Sequence, residues 1–250
     1  MSRRALLIAA VPTGAVLLLG AEILLAVNGP QLPARDPFEL SGLVDPVGSE
    51  GEPFHMVWIG DSISSGVGAS GPEATLPLLV ADALERRVLL DVYAVSGERV
   101  EDALAEQVPR LATLATSPDV VVVEIGANDV THLTGLDDFR VAYGEILERA
   151  AATGARHVLA LGIPAFGTAP RFLQPLRAIV GWRGERLDAE VRTTAAAKGA
   201  TYVDIAGQTA GPFEDDPDRY YADDDFHPSD AGYRLWAAAV LGGLERLGIA

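Results

Sequence analysis

The sequence predicts an α/β protein, a three-layer α/β/α sandwich built on a five-stranded parallel sheet. From residue 54 onward, short apolar runs alternate with longer stretches whose apolar residues recur at helical spacing. The run at 120–125 is almost wholly apolar, as expected for a strand that is covered on both faces. Five such strands separated by helices indicate a parallel sheet between two helical layers.

The predicted elements follow one another in regular alternation. The five strands are expected at 54–59, 88–95, 120–125, 157–163 and 200–205. The helices are expected at 75–87, 100–115, 136–152, 173–198 and 229–247. An irregular acidic loop precedes the last helix, for which Ser229 or Asp230 provides the N-cap.

Length, charge and composition exclude several classes of protein. A chain of 250 residues suits one domain with a full core, and 49% apolar residues is ordinary for a globular protein. The net charge of −16 argues against a nucleic-acid partner, because phosphate binding needs clustered cations. The chain has no cysteine, which excludes disulfides, thiolate metal sites and cysteine nucleophiles.

Residues 1–27 have the pattern of a signal anchor or a signal peptide. Arg3 and Arg4 precede an apolar run over 5–27 that is long enough to span a bilayer. Because no clear cleavage site follows, the pattern favours an uncleaved anchor; a cleaved signal and a buried helix of the domain are the alternatives. We expect contact with a membrane through this segment and an extracytoplasmic domain, or a secreted one if the segment is cleaved.

Residues 28–53 are expected to form a linker. They contain five prolines, and no period of 2 or 3.6 persists among their apolar residues. The folded domain is therefore predicted to occupy residues 54–250, with the linker as a tether.

Polar or small residues follow the predicted strands at the points where the strands end. Ser62 follows the first strand, Gly97 the second and Asn128 the third, while Asp224 and His227 follow the fifth. In open α/β sheets, ligands bind outside the carboxyl ends of the strands. We therefore expect these five residues to meet at one rim of the sheet.

These residue types suit nucleophilic catalysis. A serine hydroxyl becomes a useful nucleophile when a base accepts its proton, and a histidine can do so near neutral pH. A carboxylate must hold the histidine in one tautomer, and spacing alone leaves Asp223 and Asp225 open beside Asp224. Each residue also has an ordinary structural interpretation, since serine caps helices and asparagine is common in turns.

The developing oxyanion of an acyl transfer needs preorganised hydrogen-bond donors. The backbone N–H groups of Ser62 and Gly97 and the side-chain amide of Asn128 could supply three of them. A glycine suits a backbone N–H that is aimed into a pocket, because it adopts positive φ at no steric cost.

Four short motifs resemble the sequence blocks of the SGNH (GDSL-type) hydrolases. They are Gly60-Asp61-Ser62, Gly97, Gly126-Ala127-Asn128-Asp129 and Asp224-x-x-His227. Their order and approximate spacing also match, and the resemblance covers about residues 54–250. It implies a flavodoxin-like fold and an esterase, lipase or related acyl hydrolase. Ile63 stands where the family's name has leucine, which is a conservative change.

The resemblance also implies the roles of individual residues. Ser62 matches the nucleophile, His227 the base and Asp224 its acidic partner. Gly97 and Asn128 match the oxyanion donors, together with the N–H of Ser62. The implied substrate is a small-molecule, lipid or glycan ester, with no acyl chain length, alcohol or oligomeric state specified. A silent binding or scaffold domain on the same fold, an acyltransferase and a glycan deacetylase are the alternatives.

No cofactor or metal ion is predicted. Residues 66–71 spell the dinucleotide-binding pattern G-x-G-x-x-G, but six residues separate them from the first strand, whereas the motif should follow the strand directly. Phe166, Phe172 and Leu173 are candidates for lining an acyl pocket or for packing in the core. His132 is expected at the surface, and the three tryptophans are expected to serve packing.

Overall fold

The protein is described by a computed structural model that covers residues 3–46 and 50–249. Its central sheet has six strands in the order β1-β3-β2-β4-β5-β6. The strands are β1 (Gly42–Val44), β2 (Phe54–Gly60), β3 (Val88–Val92), β4 (Val120–Glu124), β5 (His157–Leu161) and β6 (Thr201–Val203). Strands β2 to β6 are parallel to one another, which confirms the predicted fold class.

Helices cover both faces of this sheet. They are α1 (Arg3–Val27), α2 (Leu76–Ala83), α3 (Val100–Glu106), α4 (Ala127–Thr131), α5 (Leu136–Ala152), α6 (Leu176–Lys198), α7 (Ile205–Asp215), α8 (Pro217–Tyr220) and α9 (Asp230–Glu245). Three 3₁₀ helices lie at Pro72–Ala74, Val108–Thr113 and Phe166–Thr168. Ser229 is the N-cap of α9, since its hydroxyl accepts the Gly232 N–H.

Several helices differ from the sequence prediction for local reasons. The helix expected at 100–115 is divided into α3 and a 3₁₀ helix, because Pro109 has no N–H to continue the first one. Helix α6 begins at Leu176 and runs without a break through its glycines. The acidic stretch after β6, expected to be irregular, forms α7 and α8.

The core is divided between the two faces of the sheet, as the alternation of side chains along β2 shows. Met56 and Trp58 point to one helical layer, and Val57 and Ile59 point to the other. Trp236 is also buried, as expected, whereas Trp182 is 57% exposed and does not serve core packing.

The sixth strand comes from the segment in which the sequence predicts only a linker. Strand β1 pairs antiparallel with β3, with Gly42 opposite Leu90. Leu40 is buried just before it, and Phe38 packs against the core. Three paired residues are too few to produce a readable period, so the sheet edge itself selects this strand.

The C-terminal end of α1 packs on the domain near α6. Glu22 and Ala26 are buried, and the Glu22 carboxylate accepts the Leu176 N–H at 2.8 Å. Among residues 3–46 and 50–249, no helix has both the length and the hydropathy that a membrane crossing requires.

Candidate active site

Ser62 lies in the tight turn that follows β2. The Asp61 carboxylate accepts the Ile63 N–H at 3.1 Å, and the Val67 N–H donates to the Ser62 carbonyl at 2.9 Å. These bonds hold the turn from both sides. The Ser62 side chain is consequently fixed at the carboxyl edge of the sheet, where the sequence predicts it.

His227 joins Ser62 to Asp224. Its Nε2 lies 3.0 Å from Ser62 Oγ, and its Nδ1 lies 2.6 Å from Asp224 Oδ2. The other carboxylate oxygen of Asp224 accepts the N–H groups of Phe226 and His227, at 3.1 and 3.0 Å. One side chain therefore shapes the loop and orients the imidazole at the same time.

The charge state of Asp224 follows from these contacts. Burial raises the pKa of its carboxyl, but the His227 side chain and the two backbone donors lower the pKa by a larger amount. The net pKa therefore lies below the ordinary value. Asp224 is therefore ionised at neutral pH, as a residue that holds a histidine must be. The alternatives Asp223 and Asp225 are placed differently: Asp223 is exposed, and Asp225 has φ of +60°.

Gly97 and Asn128 face the same rim. Gly97 has φ of +89°, a conformation that other residues rarely adopt. In the described part of the chain, neither the Ser62 nor the Gly97 N–H donates to a protein acceptor. Asn128 Nδ2 donates to the Glu98 carbonyl at 2.9 Å, while its contact with Asp61 is long, at 3.4 Å. The Ser62 and Gly97 N–H groups are thus available to an incoming group, and Asn128 can become a third donor by giving up its long contact with Asp61.

The loops that carry these donors are braced by residues that the sequence reading missed. Gln107 is buried and binds both backbone groups of Gly60: its Oε1 accepts the N–H at 3.0 Å, and its Nε2 donates to the carbonyl at 2.8 Å. Asp129 accepts the Val100 N–H at 3.0 Å and so joins the loop after β3 to the loop after β4. No local pattern marks Gln107, whose partner is 47 residues away.

Two buried carboxyls, Asp61 and Glu124, lie behind Ser62. Glu124 accepts the Ser64 hydroxyl at 2.8 Å and the Ser64 N–H at 3.1 Å. Burial raises the pKa of Asp61 to about 6, and burial together with the Asp61 charge raises the pKa of Glu124 well above its ordinary value. The sequence contains one sign of this pair, because Glu124 is the single acid in the apolar run at 120–125.

An apolar pocket opens beside Ser62 and Asn128. Its volume is about 40 Å³, and its walls include Phe166, Phe226 and Trp236. Of the predicted lining residues, only Phe166 belongs to the pocket. Phe172 stacks behind it at 6.3 Å between ring centroids, and Leu173 is 50% exposed.

The glycine-rich stretch at 66–71 is a turn that supports the His227 loop. A Cβ on Gly68 would lie 2.4 Å from the Pro228 carbonyl oxygen and 3.1 Å from the His227 Cβ, so this turn packs closely against the His227 loop. Asp230 binds the N–H and hydroxyl of Ser70, at 2.8 and 2.6 Å. His132 is exposed, as expected, and its Nδ1 is bonded to the Asn128 carbonyl. Across the described residues, no three His, Asp or Glu side chains are grouped to hold a metal ion.

The α/β/α fold, with these residues gathered at its strand ends, agrees with the sequence comparisons, which place the chain among the SGNH-type hydrolases. The chain belongs to the GDSL-like lipase/acylhydrolase family, whose sequence model matches residues 58–235.

Individual relatives agree with this membership. The chain is 30% identical over 188 residues to the GDSL-like esterase Rv1075c of Mycobacterium tuberculosis (strain ATCC 25618 / H37Rv). The match covers 73% of this chain and 59% of that protein, so the chain spans about three fifths of its relative's length.

Solved structures share the fold. The crystal structure of TesA is similar at a TM-score of 0.62 and 23% identity, covering 77% of this chain and 99% of that one. Phospholipase A1 from Streptomyces albidoflavus NA297 is similar at 0.61 and 21%, covering 77% and 100%. At these identities the likeness shows the fold alone.

Proposed function

We propose that the protein is a serine esterase that cleaves carboxylic esters through an acyl-enzyme on Ser62. The observation that carries this proposal is the continuous contact from Ser62 Oγ to His227 Nε2 at 3.0 Å and from His227 Nδ1 to Asp224 at 2.6 Å. This is the geometry that transfers a hydroxyl proton to an imidazole.

The first half-reaction forms the acyl-enzyme. Ser62 Oγ attacks the ester carbonyl as its proton passes to His227 Nε2, and a new C–O bond forms. The oxyanion is held by the N–H groups of Ser62 and Gly97 and by the Asn128 amide. The bond to the alcohol oxygen then breaks, and His227 returns its proton to that oxygen.

The second half-reaction releases the acid. Water loses a proton to His227 and attacks the acyl carbon, and the bond to Ser62 Oγ breaks. The proton on His227 returns to the serine, which restores the resting site. Asp224 stays ionised throughout and stabilises the imidazolium in both halves.

The substrate has a short acyl group. The apolar pocket of about 40 Å³ beside Ser62 supports this, since a cavity needs roughly 10–15 Å³ for one water. Space for about three such molecules suits an acetyl or propionyl group. We expect p-nitrophenyl acetate to be cleaved faster than the octanoate.

Substitution and labelling of Ser62 test the esterase proposal. Ser62→Ala should reduce p-nitrophenyl acetate turnover by up to about 10⁶-fold. A fluorophosphonate probe should add one adduct to the wild type, on Ser62, and none to the variant. A folded wild-type protein that takes no adduct contradicts the proposal and favours a silent binding domain.

The location of the domain outside the cytoplasm is a proposal that rests on the apolar pattern of residues 5–27. Protease added to intact cells should digest the domain. N-terminal sequencing of the mature protein then separates an uncleaved segment from a cleaved one. Protection of the domain in intact cells and digestion after lysis contradict this location.

A further inference from the structure

The segment at 31–38 forms one wall of a second, larger cavity at the active-site rim. The opposite wall contains Ser65, Ser96, Asp224 and His227. The cavity has a volume of about 760 Å³ and is open to solvent. Residues that precede the family-matched region therefore face the proposed base.

Arg35 fixes this segment to the domain. Its guanidinium donates to the Ala69 carbonyl at 2.6 Å and to the Gly66 carbonyl at 2.7 Å, on the turn that supports the His227 loop. The same guanidinium lies over the Phe38 ring, 4.1 Å from its centroid. The wall is thus built from specific contacts and is continuous with the site.

Arg171 provides a second attachment, from the other side of the site. Its Nε donates to the Ala26 carbonyl at 2.5 Å, and its Nη1 donates to the Asp224 carbonyl at 3.0 Å and to the Pro30 carbonyl. One side chain therefore connects the start of the segment with the loop that holds the histidine.

The position of His227 assigns the two cavities to the two halves of an ester. His227 must return its proton to the alcohol oxygen, so the alcohol leaves on the side that His227 lines. That side is the large cavity, whereas the small apolar pocket lies beside Ser62 and Asn128. The acyl group consequently occupies the small pocket and the alcohol the large cavity.

The charges around the large cavity indicate what kind of alcohol it binds. Two of the five N–H groups of Arg35 are bonded to carbonyls, and the carboxylates of Asp36 and Asp224 line the same cavity and offset its charge. Asp36 and Ser96 are exposed in the lining, and the net charge of −16 opposes an anionic alcohol. A carboxylate and a hydroxyl suit neutral hydroxyl groups, which both donate and accept.

We infer that the 31–38 segment binds the alcohol part of the ester and that this alcohol is neutral and polyhydroxylated, as a sugar is. The inference rests on the proposed esterase function. It assigns part of the recognition of the leaving group to residues that precede the family-matched region. Asp36 and Ser96 are the side chains that we expect to contact the alcohol.

Two acetyl esters that differ only in their alcohol test this inference in the full-length protein. One is methyl 6-O-acetyl-glucoside and the other is p-nitrophenyl acetate, so both give the same acetyl-enzyme. Asp36→Ala should lower kcat/KM for the sugar ester about ten- to a hundredfold, as expected for one lost hydrogen bond to a charged group, and change the p-nitrophenyl ester less than about twofold. Arg35→Ala releases the segment from the domain. It should lower the ratio of kcat/KM for the sugar ester to kcat/KM for the p-nitrophenyl ester at least as much as Asp36→Ala does.

Glu39→Ala is the matched control, because Glu39 is exposed directly after the segment and does not line the cavity. It should leave both esters unchanged. An unchanged ratio in Asp36→Ala and Arg35→Ala, with an active wild type, contradicts the inference alone. A wild type that prefers acetylcholine to the sugar ester contradicts the neutral alcohol. Inactivity of the wild type on every ester contradicts the proposed esterase function, and the inference with it.

Discussion

His227 Nδ1 lies 2.6 Å from Asp224 Oδ2, within a loop whose turn the same carboxylate holds through the N–H groups of Phe226 and His227. An asparagine at 224 keeps an oxygen that can accept the two N–H groups of the turn. It places an uncharged amide, in place of a carboxylate, next to His227 Nδ1. Asp224→Asn should therefore lower kcat for p-nitrophenyl acetate by about 10⁴-fold while leaving KM nearly unchanged. Asp225→Asn is the control, since asparagine tolerates the φ of +60° at that position. Equal losses in the two variants contradict the assignment of Asp224.

The lowered pKa of Asp224 also predicts a pH dependence of stability. Because the folded-state pKa lies below the unfolded value, the contribution is present above about pH 4 and is lost as the pH falls through the folded-state pKa. The free energy of unfolding should fall in acid for the wild type, and this fall should be smaller in Asp224→Asn. Urea titrations between pH 7 and pH 3 measure the difference.

The buried pair of Asp61 and Glu124 predicts the opposite pH dependence, with stability that falls as the pH rises. Both pKa values are raised in the folded protein. The contribution of these carboxyls to the free energy of unfolding is therefore fully present below about pH 4, and that of Asp61 is lost as the pH rises through about 6. Glu124→Gln removes one ionisation and keeps an oxygen that accepts from Ser64. The variant should lose less stability than the wild type between pH 5 and pH 8, with Tm a few degrees higher at pH 8.

Calorimetry of Glu124→Gln at several pH values provides the measurement. Glu101→Gln, at an exposed position on α3, is the control and should follow the wild type at every pH. If Tm of Glu124→Gln and Tm of the wild type change in parallel between pH 5 and pH 8, the raised pKa of Glu124 does not contribute to the pH dependence of stability, and the prediction is wrong.

The size of the acyl pocket predicts a change of chain-length preference. Phe226 lines the pocket and is only half-buried, so Phe226→Ala should widen the pocket without unfolding the domain. The ratio of kcat/KM for p-nitrophenyl butyrate over acetate should rise about tenfold, since two methylenes gain space. A loss of activity caused by disturbing His227 affects both esters equally, so it does not change this ratio. Leu173→Ala, at an exposed position, should leave it unchanged, and a rise there as well contradicts the assignment of the pocket.

Gly68 predicts a cost in both stability and activity. Its φ of +96° and the Pro228 carbonyl oxygen, which would lie 2.4 Å from an added Cβ, leave no place for a methyl group. Gly68→Ala should lower the free energy of unfolding by about 1–2 kcal/mol from the backbone alone and should slow fluorophosphonate labelling of Ser62. At Gly71 a Cβ would meet only the flexible carboxylate of Glu73, so Gly71→Ala should keep the labelling rate. Slower labelling in both variants contradicts a specific role for Gly68.

The parts of the site that the sequence predicts are those with local patterns. Ser62, Gly97 and Asn128 each follow an apolar run, and a parallel sheet brings the ends of its strands together. The choice among three consecutive aspartates needed the structure, because it depends on the path of the loop after β6.

The parts that the sequence does not reveal depend on distant partners. Gln107 binds Gly60 across 47 residues, and Arg171 reaches Ala26 across 145. Strand β1 is only three residues long and forms because the edge of β3 is there to pair with it. The prolines between Asn28 and Pro53 predict a linker, whereas Arg35 and Leu40 anchor part of that stretch to the domain.

The contacts of Arg171 have a consequence for how the protein is produced. A recombinant form that starts at β2, residue 54, keeps the whole parallel sheet but removes the Ala26 and Pro30 carbonyls, so this guanidinium retains only its bond to the Asp224 carbonyl. The bond to Ala26 is partly buried, and a hydrogen bond from a charged group contributes about 1.5–3 kcal/mol. Such a truncated protein should therefore be less stable at the loop that holds His227, and its activity and melting behaviour should differ from those of the full chain.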